Sequence, residues 1–367
     1  MNILFLTNAD IKDCFYGGGK AARSCYELIC KIGKTDIKVI KKKTSLSSVI
    51  SILQGFYPPL TRKEIEKTKK ICRQKKYDIV FLNTSIYGAA AKALKKEFPE
   101  IPVFVMFQNC ELDYNEVRFS GKKSIKSSIY KILVKKSEAM TLKYGDYHAA
   151  FSKRDAARLK NLYGAGTDYI LPLFLKDEAD RQDLEEYEGS DSYCLLFGPN
   201  TPPNLEGAEW FAKNVSPCLK IKTVIAGKGM DVLAKEMQHE HVTITGYVED
   251  IHELYKKARC VCLPQFSGGG MKVKMIEAMM FGKTIFGTDE AFSGYENDQK
   301  EIGFLCNTPD EFIKAINNFV QSEKGSFQKR VRKIYETEYS EQAAYSKMRH
   351  VLSEIAENGA NGSSRDN

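Results

Sequence analysis

Nowhere does the 367-residue sequence approach eighteen uninterrupted apolar residues, so no membrane-spanning helix is expected. The opening MNILFLTNAD has no basic leader, and its apolar run is too short for a signal peptide. It reads as a first strand. The protein is expected in the cytoplasm, with peripheral contact on the inner face of a membrane left open. Ten cysteines are scattered without one C-x-x-C spacing. Cys260 and Cys262, the only close pair, sit in the apolar run RCVCLPQF and read as buried, reduced thiols. One segment, VRFSGKKSIKSSIYKILVKK from Val117 to Lys136, holds no acidic residue. What is present in quantity is apolar side chain, 43% of residues, enough for the cores of two domains. Lysine and arginine number 55 against 47 acidic residues, a net charge of +8. That bias suits an anionic substrate, a nucleic acid or an anionic lipid surface without choosing among them.

Strand-like and helix-like runs alternate twice along the chain. In the first half, NILFLT, DIKVIK, YDIVFLNTS, PVFVMFQN, YHAAFS and DYILPLFL read as strands. Gly17–Gly19 form a loop ahead of the helix KAARSCYELICKIG. The polar, acidic KDEADRQDLEEYEGSD marks a linker. Alternation then restarts with YCLLFG, IKTVIAG, VTITGY, RCVCLPQF, TIFGT and IGFLC. Such alternation predicts an α/β protein of two Rossmann-like domains, each a parallel sheet with helices on both faces, and ligands beyond the carboxyl ends of the strands. The expected bounds are 1–176 for the first domain, 177–190 for the linker and 191–335 for the second domain. A closing helix at 336–356 is expected to pack back on the first domain, before a disordered tail at 357–367.

Chemistry concentrates in PQFSGGGMKVKMIEAMMFGKT. Gly268, Gly269 and Gly270 let the chain turn sharply, and a helix starts near Met271 or Lys272. Its unpaired first-turn N–H groups, its dipole, Lys272 and Lys274 together suit a phosphate or diphosphate. A plain loop beside solvated lysines accounts for the same residues. No G-K-[ST] ending stands at Walker A spacing from the triplet, and its glycines lack the dinucleotide-fingerprint spacing, so it is neither a Walker A loop nor that fingerprint. Glu277 stands at i,i+3 from Lys274. It is either a helix former paired with that lysine or a carboxylate able to accept both hydroxyls of a diol.

SGGGMKVKMIEAMMFGKTIFGT resembles the donor-site signature of the GT-B glycosyltransferases of family 4. LLFGPNTPPNLEGAEWF, VIAGKG, VTITGYVEDIHELYKKARCVCLP and FSKRDAARLKNLYG agree with it. The resemblance runs over nearly the whole chain, specific in the second half and diffuse in the first. It implies two domains facing across a cleft, the second holding a nucleotide sugar and the first an acceptor. It also implies transfer with retention of anomeric configuration, with no bound cofactor or metal and a UDP- or GDP-sugar as co-substrate. By this resemblance Lys274 steadies the donor phosphates, with Lys272 where relatives carry arginine. Glu277 holds the ribose, and Met271 lies in the same loop. Gly227, Lys228 and Gly229 pass near the base or phosphates, and Gly18 and Gly19 approach the donor from the first domain.

Three positions depart from the family pattern. The first glutamate of the usual pair falls at Gly269. Gln108 in FQNCE takes a histidine position. Pro199 and Asn200 stand where an arginine is common. Glu111 and Asp10 are candidates to orient the acceptor, or else cap and loop carboxylates. His148 reads as a satisfied structural histidine. His239 and His241 read as a solvated turn, with no further ligands beside them for a metal. Ile125, Ile129, Ile132 and Leu133 recur at helical spacing among lysines, which fits an anionic bilayer, a lipid-linked acceptor or an ordinary core helix. The acceptor is expected to be a saccharide or lipid-linked saccharide. No nucleic acid is expected, since the basic segment lacks interleaved aromatic platforms. The alternatives are a non-hydrolysing sugar-nucleotide epimerase and a non-catalytic sugar-nucleotide-binding partner protein.

Overall fold

The computed structural model describes residues 1–11, 17–41, 44–119, 124–180, 184, 191–322 and 325–362. The chain divides into two compact units. One comprises Met1–Phe174 with Gly269–Met271 and the segment from Glu341; the other comprises Leu175–Gly268 and Lys272–Ser340.

The first unit holds β1 (Asn2–Thr7), β2 (Lys34–Val39), β3 (Ile79–Leu82), β4 (Val103–Phe107), β5 (Tyr147–Ala150) and β6 (Tyr169–Ile170). They lie in the order β2-β1-β3-β4-β5-β6, every pair parallel. Ile3–Leu6, Ile79–Leu82 and Val103–Phe107 are all but inaccessible. Helices on both faces of a parallel sheet bury both sides of each strand, which is why these runs are continuously apolar rather than alternating.

The second unit holds β7 (Tyr193–Phe197), β8 (Lys222–Ala226), β9 (Val242–Thr245), β10 (Ala258–Leu263), β11 (Ile285–Gly287) and β12 (Gly303–Leu305). Their order is β12-β11-β10-β7-β8-β9, again parallel throughout. The chain builds outward from β7 to β9, then returns to place β10 on the other side of β7. That reversal opens a crevice beyond the carboxyl ends of β7 and β10, where ligands of open α/β sheets bind.

Several expectations need correction. Gly17–Gly19 are the first turn of the helix Gly17–Ile32, not a loop ahead of it. Gly19, Ala21, Ala22 and Ser24 are buried there, so small residues let this helix lie close against its neighbours. DYILPLFL yields only the two-residue β6, because Pro172 cannot donate to a ladder. A helix at Ser45–Leu53, opened by a capping box at Thr44, stands where no element is expected. The second unit runs on to Ser340, past the bound at 335, because Ser340 bridges Leu175 as a short parallel pair. The closing helix, Glu341–Gly362, extends six residues into the expected tail, since elongating a nucleated helix costs little. Within the expected linker, residues 181–183 and 185–190 lie outside the described residues, as do 363–367 of the tail.

Candidate active site

The turn after β10 is fixed from below by its neighbours. The Thr288 hydroxyl donates to the Gln265 carbonyl, and Gln265 Nε2 donates to the Ser267 carbonyl at 3.1 Å. The buried Tyr295 hydroxyl donates to the Lys272 carbonyl at 2.9 Å. Lys272 is the extended residue that opens the helix Val273–Met280, and no side chain caps that helix. Its first-turn N–H groups thus keep the capacity for an anion that the sequence suggests.

Two lysines converge here. Lys272, only 9% exposed in its side chain, places Nζ 2.7 Å from Glu290 Oε1. Lys274 Nζ lies 2.8 Å from Asn204 Oδ1, and Asn204 in turn donates from Nδ2 to the Pro199 carbonyl at 2.8 Å. Burial pushes Lys274 down to about 8; Glu277 opposes the shift, and the charge of Lys272 adds to it. Glu277, one turn on, is 4% exposed. The Tyr255 hydroxyl beside it is held well above the ordinary tyrosine range, by burial first and then by the Glu277 carboxylate. A carboxylate so enclosed is no solvated helix former, since burying a charge needs definite partners.

The turn after β8 meets the turn after β7. A Cβ on Gly227, at φ +143°, would run into the Gly198 carbonyl oxygen, so only glycine allows this approach. Asn200 N donates to the Lys228 carbonyl and Asn200 Nδ2 to the Gly229 carbonyl, both at 2.9 Å. Lys228 itself is exposed. Phe197, Asn204, Leu263, Gln265 and Lys274 line a small hollow at the β7–β10 crevice. Gly268, Lys272, Lys274 and Glu277 are thus gathered at one end of one sheet, with the Gly227–Gly229 turn on its β7 side.

The other candidates belong to the first unit. Gly269, Gly270 and Met271 group with it, and a Cβ on Gly270 would stand 3.0 Å from the Asn109 Cβ and the Gln108 carbonyl oxygen. Gly18 and Gly19 lie in the first turn of Gly17–Ile32. Glu111 opens the helix Glu111–Arg118. Burial, then the neighbouring Glu138, pushes its carboxyl up to about 8, against the pull of Arg118. Glu138 is fully buried and accepts from the Ser85 hydroxyl, the Glu111 and Leu112 N–H groups and the Tyr163 hydroxyl. Asp10 pairs with Lys41 at 2.5 Å. His148 is buried, with Nε2 3.3 Å from the Thr141 carbonyl and Nδ1 3.4 Å from Asp168.

Sequence reasoning missed Asn204, Glu290 and Glu138. Each meets its partner across a fold contact that no local spacing announces. Among the described residues, one cluster offers three metal-type donors: the thiols of Cys194, Cys260 and Cys262, all within 4.8 Å of one another. All three belong to the apolar core of the second unit, packed with residues such as Phe211 and Phe286.

Comparison with known proteins agrees with this architecture. Residues 192–322 match the family model described as Glycosyl transferases group 1. An uncharacterized 44.6 kDa protein in the cps region of Klebsiella pneumoniae is 22% identical over 330 residues, 83% of this chain and 80% of its own length. A sucrose-phosphate synthase from Thermosynechococcus elongatus superposes with a TM-score of 0.73 at 14% identity, covering 96% of this chain and 98% of its own. HepE of Anabaena, solved in complex with UDP, superposes with a TM-score of 0.70 at 13% identity, covering 96% and 100%. Two parallel sheets in this strand order and a matched second domain lead to one conclusion: the chain has the two-domain GT-B fold, and its residues 192–322 form a group 1 glycosyl transferase domain.

Proposed function

We propose that the chain moves a sugar from a nucleoside diphosphate sugar to a hydroxyl of a saccharide or lipid-linked saccharide, with retention of anomeric configuration. The observation that carries this reading is the arrangement on the helix Val273–Met280. Lys274 stands half-buried at its uncapped start, and Glu277 is enclosed one turn later. Breaking the anomeric bond leaves negative charge on the diphosphate. Lys272, Lys274 and the first-turn N–H groups stabilise that charge as it forms. The acceptor oxygen bonds to the anomeric carbon on the side the diphosphate leaves, and the departing phosphate oxygen takes the acceptor's proton. No strong side-chain base is needed. Glu277 accepts the two ribose hydroxyls. HepE binds UDP, which supports a UDP-sugar over a GDP-sugar as the donor.

The test is a titration and transfer assay with UDP-, GDP-, ADP- and CMP-sugars on wild type, Lys274→Ala and Glu277→Ala. Wild type binds one class, and both variants lose donor affinity. Unchanged affinity in both variants would end the phosphate and ribose roles.

A peripheral membrane role is a second proposal, on a separate observation. In the first unit, Leu46 (67%) and Leu53 (81%) of the helix Ser45–Leu53, and Ile125 (83%) and Ile132 (67%) of the helix Ile125–Tyr144, are exposed. Lys126, Lys131, Lys135 and Lys136 are exposed along the second helix, while Leu133 is buried in the core and Ile129 is partly buried against it. Apolar side chains ringed by ammonium groups suit an anionic bilayer carrying a lipid-linked acceptor. Among the described residues no helix is long and apolar enough to cross a membrane.

A further inference from the structure

Gly269 stands where relatives carry the first of two glutamates, so the glycine loop brings no carboxylate of its own. The structure supplies one from another strand end. Glu290 lies in the short helix Asp289–Phe292 that follows β11, and its Oε1 sits 2.7 Å from Lys272 Nζ. The same oxygen would be 3.4 Å from a Cβ on Gly268, so it lies directly against the glycine loop. Its neighbour Asp289 is engaged elsewhere: the Asn307 side chain accepts from Asp289 N at 3.0 Å and donates to Asp289 Oδ2 at 2.9 Å. Two successive acidic residues thus take separate tasks, and the one turned to the loop keeps 20% of its side chain open to solvent.

We propose that Glu290 is a specificity-determining residue that accepts hydroxyls of the transferred sugar while Lys272 bridges it to the diphosphate. This rests on the nucleotide-sugar reading of the site. A carboxylate beside a diphosphate is repelled unless a cation lies between them, and a hydroxyl donated to it lowers the repulsion further. Lysine has three N–H donors and can serve both anions at once. A sugar attached to the diphosphate brings the hydroxyls; a bare nucleoside diphosphate does not.

The two ligand types therefore separate the roles. Glu290→Gln keeps the size and removes the charge. In Glu290→Gln the sugar nucleotide binds ~10-fold more weakly or worse, as for loss of a hydrogen bond to a charged group. The matching bare nucleoside diphosphate binds as tightly as to wild type or tighter. The measurement is calorimetric titration of wild type, Glu290→Gln and Glu290→Asp with UDP, UDP-glucose, GDP and GDP-mannose, with thermal melts to show that each variant is folded. Glu290→Asp, which keeps the charge one methylene short, falls between wild type and Glu290→Gln for the sugar nucleotide. Equal effects on bare and sugar-bearing ligands would make Glu290 a mere counter-ion of Lys272 and overturn the proposal, as would no effect on either. If wild type binds none of the four ligands, the nucleotide-sugar reading itself falls, a result distinct from selective failure of the variant.

Discussion

Lys274 makes donor binding dependent on pH in a window where an ordinary lysine does not titrate. Its ammonium is pushed down to about 8, mainly by burial. It is then about 90% charged at pH 7 and about 10% charged at pH 9. The diphosphate of a sugar nucleotide is fully ionised across this range, so it contributes no slope of its own. Binding needs the ammonium, and affinity in wild type falls by about tenfold between pH 7 and pH 9. Lys274→Arg keeps a cation that does not titrate there, and its affinity stays flat. Lys274→Ala loses a charged contact of about 1.5–3 kcal/mol, roughly 10- to 150-fold in affinity at pH 7, and is likewise flat. Calorimetric titration of the three proteins with the preferred sugar nucleotide at half-unit pH steps reads all of this. A wild-type profile level through pH 8, or an alanine variant within about twofold of wild type at pH 7, would refute the reasoning.

The buried Glu138 ties the helix Glu111–Arg118 to the core of the first unit. Glu138→Ala strands two N–H groups and two hydroxyls and costs about 3 kcal/mol or more in denaturant unfolding; a loss below 1 kcal/mol would contradict that. Glu111, raised to about 8 when folded against an ordinary carboxylate value near 4.3 when unfolded, binds its proton more tightly in the native state. Its contribution is therefore fully present below the unfolded value and is lost as pH rises through 8. Melting temperature should decline over that span in wild type and decline less in Glu111→Gln. Vesicles of anionic lipid should pellet wild type at low salt, and Leu46→Asp with Leu53→Asp should abolish pelleting; recovery in the pellet unchanged by the pair would remove the membrane role.

Much of the fold is legible in the sequence because parallel strands buried on both faces leave unbroken apolar runs. VFVMF at β4 and YCLLF at β7 are examples. That Lys274 and Glu277 stand one turn apart on one helix is equally legible, since helical spacing is local. Gly17–Gly19 were misleading, because three glycines read as a turn whether or not small residues are wanted for close helix packing. Asn204 and Glu290 could not be read. They lie 70 and 18 residues from the lysines they meet, and strand order, not spacing, brings them there. Ser45–Leu53 escaped because serines interrupt its apolar side chains, and its cap at Thr44 is a weak signal on its own.

The helix Glu341–Gly362 belongs to the same unit as β1. Met348, Val351, Leu352 and Ile355 are buried, and Glu341 pairs with Lys31 at 2.5 Å. A chain leaving the ribosome therefore exposes its first sheet with a gap in the wall for as long as the intervening residues are being made. The first-made of the two units is thus the later to be finished, and loss of the segment from Glu341 onward would damage that unit rather than the one made just before it.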